Sequence, residues 1–116
     1  MSGGYSAEHI LPELGFERVE AGSMEDWRLT IRGLEMGVVC GPNRYFTPSL
    51  NFAGSFNNGR TMQFFEFSIT AETASREEAL ALIGYYLRDI PADFRPSWLT
   101  EAMQLRAHLP WMKGKA

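Results

Sequence analysis

The side chains that most often carry protein chemistry are few in this chain and stand far apart. There is one cysteine, Cys40, and there are two histidines, His9 and His108. A thiol nucleophile needs a nearby base and an electropositive setting, whereas Cys40 follows two valines and is typical of a buried strand end. A metal site needs ligands at short, regular spacings. We therefore predict no catalytic residue, no bound metal and no cofactor, and an isolated cysteine fits a reducing compartment.

Carboxylates offer the next possibility, since paired acids can exchange protons. The Glu77-Glu78 pair fits a helix cap better than a catalytic dyad. Asp89 and Asp93 flank a proline and are typical of turns. Glu66 stands between two phenylalanines, and strand alternation places it on the face opposite to them. Its two interpretations are a solvated sheet residue and a functional carboxylate. No glycine-rich phosphate loop is present.

A third group of residues could make contacts with a partner. Arg44, Tyr45 and Phe46 lie in a loop, and exposed aromatic rings beside arginine are typical of interface hot spots. Trp111 follows a proline in a basic tail. The alternative is that the loop rings fold back over the core and that Trp111 covers the sheet. The residues predicted to bind a partner are Arg44, Tyr45, Phe46, Arg60, Glu66 and Trp111.

The segment Arg60–Phe67 resembles the longer aromatic strand motif of RNA-recognition-motif domains. Arg60, Phe64 and Phe67 match that motif, whereas the three residues after Arg60 depart from it, and the order of elements also differs. The resemblance covers eight residues and implies RNA binding through stacked aromatic rings. Core packing of the same phenylalanines is the other explanation.

Alternating apolar residues predict about five strands. They are Phe16–Glu20, Trp27–Arg32, Met36–Cys40, Leu50–Phe56 and Thr61–Thr70. Asn58-Gly59 between the last two predicts a type I′ hairpin. A change of parity at Phe64-Phe65 indicates either a bulge or a strand covered on both faces.

Helical signals flank this run of strands. A short helix is expected from Ser6 to Leu14, split by Pro12 and ended by Gly15. Ser75 and Glu78 form a capping box that opens a helix extending to Ile90. A further helix is expected from Ser97 to His108. Strands followed by helices indicate an α+β fold, in which an antiparallel sheet of four to five strands packs against two C-terminal helices.

Composition limits the class of protein. The 116 residues are 45% hydrophobic and 22% charged, which is ordinary for one soluble domain spanning 1–116, with residues 110–116 as a partly free tail. No apolar run reaches the roughly 18 residues of a membrane span. The net charge is −3, and residues 1–40 are the acidic part. We expect a cytoplasmic protein.

The functional expectation rests on size and on the scarcity of reactive groups. It is a small non-enzymatic protein-binding module of the inhibitor or immunity type, such as an anti-CRISPR, anti-restriction or toxin-immunity protein. The first alternative binds single-stranded nucleic acid through an aromatic sheet face with Arg28, Arg32, Arg44 and Arg60. The second is a small-ligand or enzymatic pocket between sheet and helices, lined by Glu66, Cys40 and Tyr86. Homodimerisation through a sheet edge is permitted.

Overall fold

A computed structural model describes residues 4–21 and 24–112, and it has the predicted α+β architecture. Five antiparallel strands follow one another in chain order across a single sheet. They are β2 (Glu17–Ala21), β3 (Met24–Ile31), β4 (Leu34–Pro42), β5 (Pro48–Asn58) and β6 (Thr61–Thr70). A second, two-stranded ribbon joins β1 (Tyr5–Ser6) to β7 (Glu72–Thr73). Three helices, α1 (Ile10–Glu13), α2 (Arg76–Tyr86) and α3 (Leu99–Met103), accompany four short 3₁₀ turns.

One face of the five-stranded sheet carries the core. Alternation brings the apolar residues of neighbouring strands to this face, as in the cross-strand pair Val38–Phe52. Phe52 is fully buried and stacks on Phe67, with ring centroids 4.6 Å apart. The apolar side of the sheet therefore faces the helices.

Helix α2 is the centre of the helical layer. All residues from Glu78 to Gly84 are buried, because the sheet lies on one side of the helix and α3 packs on the other. Gly84 allows the close approach of α3: a Cβ atom there would lie 2.6 Å from the carbonyl carbon of Ala102. The helix is thus a buried element rather than an amphipathic surface helix.

The N-terminal segment closes the domain over long sequence separations. The β1–β7 ribbon pairs Tyr5 with Thr73, and the indole Nε1 of Trp98 donates a 2.8 Å hydrogen bond to the Leu14 carbonyl oxygen. Burial, and next the negative charge of Glu13, raise the pKa of the Tyr5 hydroxyl. The sequence contained no signal for the two-residue strands β1 and β7.

The helix boundaries differ from the sequence predictions. Helix α2 ends at Tyr86 instead of Ile90. The expected helix from Ser97 to His108 is shorter, since α3 spans Leu99–Met103 and is followed by separate 3₁₀ turns. The N-terminal helix does split into two turns, but the change from 3₁₀ to α geometry occurs before Pro12, and the Ser6 side chain makes no cap. Gly15 ends it with a positive φ of 94°.

Two local predictions were right in kind and wrong in detail. The β5–β6 hairpin is present, but its register pairs Asn58 with Thr61, so Gly59 and Arg60 form the loop. Only Gly59 has a positive φ there, which contradicts type I′ geometry. Ser75 accepts a hydrogen bond from the Glu78 amide as expected, whereas Glu78 accepts from the amide of Ala74 rather than that of Ser75.

Strand β6 contains no bulge. Its register with β5 is continuous from Thr61 to Thr70, and it is an outer strand of the sheet, so both explanations of the parity change were wrong. Phe65 pairs with Gly54 and its ring fills the space that a side chain at that glycine would take.

None of the helices among the described residues is long and apolar enough to cross a membrane.

Candidate functional site

The second face of the five-stranded sheet is open. Its residues alternate with those of the core, and no described helix packs on it. We call it the open face; its central and outer residues are Val39, Asn51, Ala53, Phe64, Glu66 and Ser68. None of these six side chains is fully buried, and Phe64 is 79% exposed. A sheet can leave one face in water, and here that face also displays the large Phe64 ring.

The loop between β4 and β5, residues 43–47, stands at one end of the open face. Asn43 organises it, because its side-chain Oδ1 accepts hydrogen bonds from the amides of Tyr45 and Thr47 at 2.8 and 3.1 Å. The Phe46 amide donates to the Asn43 carbonyl oxygen at 2.9 Å. The loop is therefore a defined turn on a rigid hairpin.

This loop, which we call the aromatic loop, holds its rings in solvent. Tyr45 is 73% exposed and Phe46 is 88% exposed, so the alternative that they fold back over the core was wrong. Phe46 has a φ of 63°, a left-handed conformation that is unfavourable for a bulky residue. The guanidinium carbon of Arg44 lies 5.5 Å from the Tyr45 ring centroid, within cation–π range.

Three depressions on the open face adjoin one another at Ala53. The largest, with a volume of about 770 Å³, lies between the aromatic loop and β6, and Arg44, Tyr45 and Glu66 line it. A second, of about 570 Å³, lies beside Phe64, and a third, of about 360 Å³, extends across β3 and β4. Together the three depressions form one trough, with small side chains such as Ala53 as its floor and larger side chains such as Tyr45, Glu66 and Phe64 at its borders.

Charge on the open face is predominantly acidic. Strand pairing places Glu17, Asp26, Glu35 and Glu66 on it, against the guanidinium groups of Arg28 and, at the rim, Arg44. The Nη2 atom of Arg28 lies 3.8 Å from the Oδ2 atom of Asp26. Four carboxylates and two guanidiniums leave an excess of negative charge.

The polar groups of the floor are ordered by one another. The Ser68 hydroxyl donates a 2.7 Å hydrogen bond to the side-chain Oδ1 of Asn51. The side-chain Nδ2 of Asn51 in turn donates at 3.1 Å to the Val39 carbonyl oxygen. This chain links β4, β5 and β6 across the open face. It fixes the shape of the trough before any partner arrives.

The structure brings together only part of the predicted contact set. Arg44, Tyr45 and Glu66 border one depression. Arg60 lies in the β5–β6 turn, which is about 34 Å from the aromatic loop for a strand of this length. Trp111 is on the helical side, where its ring packs edge-on against Tyr85, and it remains 45% exposed. It therefore does not cover the sheet, and the tail forms a 3₁₀ turn up to Met112; residues 113–116 lie outside the described part.

The residues suggested for an internal pocket do not meet. Glu66 is on the open face, whereas Cys40 packs against the core and Tyr86 stacks on Phe67 beneath the sheet, with ring centroids 4.9 Å apart. Both histidines are exposed. Within residues 4–21 and 24–112 there is no cluster of three metal-ligating side chains.

The strand that resembles an RNA-recognition motif divides its two matching phenylalanines between the faces of the sheet. Phe64 is on the open face, and Phe67 lies in the aromatic stack between Phe52 and Tyr86. Strand alternation alone places residues 64 and 67 on opposite faces, and the structure has this arrangement. Sequence reasoning did not single out Phe64 as a contact residue, although a large ring on the polar side of an alternating strand is the signal that would have found it.

The chain was compared with known protein families, with curated proteins and with solved structures, and it matches none of them.

Proposed function

We propose that this protein is a non-enzymatic binding module that inhibits a partner protein by covering part of the partner's surface. The open face and the aromatic loop are the contact region. The observation that carries the proposal is the pairing of Tyr45 and Phe46, held in solvent by an ordered turn, with an uncovered trough bordered by Phe64 and Glu66. Large rings around a trough of small side chains suit the burial of a partner's protruding side chains.

The excess of carboxylates favours a partner surface that carries arginine or lysine. Opposite charge speeds encounter and selects the orientation of binding. Glu66 lines the same depression as Arg44 and Tyr45 of the aromatic loop. A nucleic-acid-binding surface of an enzyme has the required charge, which is the kind of target that anti-restriction, anti-CRISPR or toxin-immunity proteins occupy. We accordingly propose a cytoplasmic site of action.

Single-stranded nucleic acid fits this surface less well. Affinity for nucleic acid comes largely from cations that neutralise phosphates, and carboxylates outnumber guanidiniums on the open face. Stacking needs neighbouring rings on one face, whereas Phe64 and Phe67 point to opposite sides. The observations therefore favour a basic protein.

The first test is capture of the partner from a lysate of the cells that produce the protein, with and without nuclease. We expect one stoichiometric protein that survives nuclease treatment. Its affinity is then measured by calorimetry at low and high salt, and we expect weaker binding at high salt. Partners that disappear with nuclease would favour the nucleic-acid alternative.

Variants locate the surface. Glu66→Arg reverses charge in the trough, and we expect it to weaken binding at least tenfold; the matched control is Glu101→Arg, at an exposed site on α3. Phe64→Ala should have a similar effect, with Trp111→Ala as the aromatic control on the helical side. If the two control variants weaken binding as much as the open-face variants do, the contact region is elsewhere.

A further inference from the structure

Strand β6 has an unpaired outer edge. It is the last strand of the sheet and forms its ladder with β5 alone. Among the described residues, β6 makes no backbone hydrogen bond to any element other than β5. The hairpin closes with the hydrogen-bonded pair Asn58–Thr61, and non-hydrogen-bonded and hydrogen-bonded pairs alternate from there. Phe64 and Glu66 therefore stand in non-hydrogen-bonded pairs, and their N–H and C=O groups point away from β5 to the outer edge.

The two edges of the sheet differ in their protection against further pairing. The opposite edge, β2, has five residues, and Glu17, Arg18 and Glu20 among them are charged. Short, charged edges resist association. Strand β6 has ten residues in continuous register, contains no proline or lysine, and carries Glu66 as its one charge. A long regular edge of this kind is a template for another strand.

We propose that β6 pairs antiparallel with β6 of a second copy, forming a closed dimer with one continuous ten-stranded sheet. A two-fold axis beside Phe65 places Glu66 opposite Phe64 of the other copy, so that each carboxylate meets a ring instead of the other carboxylate. Shifting the register by one residue on each strand would set Glu66 against Glu66. Like charges directly opposite destabilise a sheet, so the register centred on Phe65 is favoured over the one centred on Glu66.

A second copy fits this edge for two further reasons. The pairing satisfies the outward N–H and C=O groups of β6 and sets Phe65, which is partly exposed, beside Phe65 of the other copy, while the Phe64 ring remains on the open face. The outer edges of the resulting sheet are both β2, which is short and charged, so the assembly stops at two copies. This follows from an isologous contact, in which the same patch is used on both sides.

Sedimentation velocity of the purified chain tests the proposal without any partner, from about 1 to 300 μM. The monomer mass is 13.1 kDa, and we expect a concentration-dependent species of twice that mass. Phe64→Glu, which sets a second carboxylate directly opposite Glu66 of the other copy, should give a monomer throughout, because like charges facing each other destabilise a sheet. Thr100→Glu, at an exposed site of α3 away from the sheet, should dimerise as the unmodified chain does.

Hydrogen exchange of the unmodified chain provides a test that does not depend on the folding of a variant. The outward amides of Met62, Phe64 and Glu66 should exchange more slowly at high protein concentration. A monomer at every concentration, assemblies larger than a dimer, or a dimer that persists in Phe64→Glu would each overturn the proposal. These outcomes concern the protein alone and leave the proposed inhibition of a partner to its own test.

Discussion

Phe46 combines two features that stability alone does not favour. Its ring is almost fully in solvent and its backbone is left-handed. Such a backbone costs a non-glycine residue about 1–2 kcal/mol. The exposed Phe46 side chain contributes little to the fold, so the fold does not explain why the strain is kept. A role in contacting a partner does explain it.

Replacing Phe46 by glycine separates the two roles. Removal of the strain should outweigh the greater unfolded-state entropy of glycine, which is about 0.4–1 kcal/mol. We expect Phe46→Gly to be more stable by about 0.5–1 kcal/mol in urea unfolding and to bind its partner more weakly. Tyr45→Gly, where φ is not positive, should lose stability. Equal losses in both variants would contradict this account.

At Gly84 a side chain would clash with α3, and this clash outweighs the gain in helix propensity. Helix propensity favours alanine over glycine by about 1 kcal/mol, but the new methyl group would lie 2.8 Å from the Cβ of Ala102. Overpacking of this kind costs about 1–3 kcal/mol. We expect Gly84→Ala to be less stable by up to about 2 kcal/mol in thermal unfolding. Gly37→Ala is the control, since its nearest neighbour is 3.7 Å away; greater stability of Gly84→Ala would refute the close contact of α2 and α3.

Among the elements, helix α2 has the strongest start signal in the sequence. Ser75 caps it, whereas Ser97, the expected start of the following helix, lies before α3 and does not cap it. We expect Ser75→Ala to lose about 1 kcal/mol, which corresponds to about 3–5 °C in Tm for this size. Ser97→Ala, at an exposed site, should change Tm by less than about 2 °C. Similar shifts in the two variants would show that the cap is not the cause.

The β1–β7 ribbon makes stability depend on alkaline pH. The folded state raises the pKa of the Tyr5 hydroxyl, so the folded protein holds this proton more tightly than the unfolded chain. This contribution is complete below the unfolded pKa of about 10 and is lost as the pH rises through the folded value. Urea unfolding at pH 9 and 11 should show a smaller loss for Tyr5→Phe than for the unmodified chain. An equal loss would exclude Tyr5 as the source.

Elements with a local cause were predictable from the sequence. Alternation identified β6 to the residue, and the serine cap marked the start of α2, because both patterns depend on near neighbours. The ribbon was missed because each of its strands has two residues, and its partners are held by the surrounding domain. The expected single helix after Ser97 was wrong for a similar reason, since apolar spacing alone does not show where packing on α2 interrupts it.

The site was predictable only in part for the same physical reason. Arg44, Tyr45 and Glu66 were identified from residue type, but their common depression depends on the pairing of β4, β5 and β6. Arg60 and Trp111 share the same residue chemistry and lie elsewhere. Exposure of the aromatic loop followed from its turn geometry, which the sequence indicated only as a loop.

At the scale of the whole molecule, the Trp98 indole, just before α3, connects that helix to the end of α1 through its hydrogen bond to Leu14. Trp98→Phe would leave the Leu14 carbonyl oxygen without its partner, at a cost of about 1–3 kcal/mol. Hydrogen exchange should show the amides of residues 5–14 opening faster, while β4 and β5 remain protected. Trp111→Phe, at a half-exposed site, should leave exchange unchanged. Uniform acceleration across the domain would mean that the segment does not open on its own.

The order in which the protein assembles follows from these long connections. Each hairpin from β2 to β6 closes over a few residues, whereas the Tyr5–Thr73 and Leu14–Trp98 contacts span 68 and 84 residues. Closing long loops is slow and entropically unfavourable until the intervening chain has folded. In refolding kinetics, the sheet and α2 should therefore form first and the N-terminal segment should dock last.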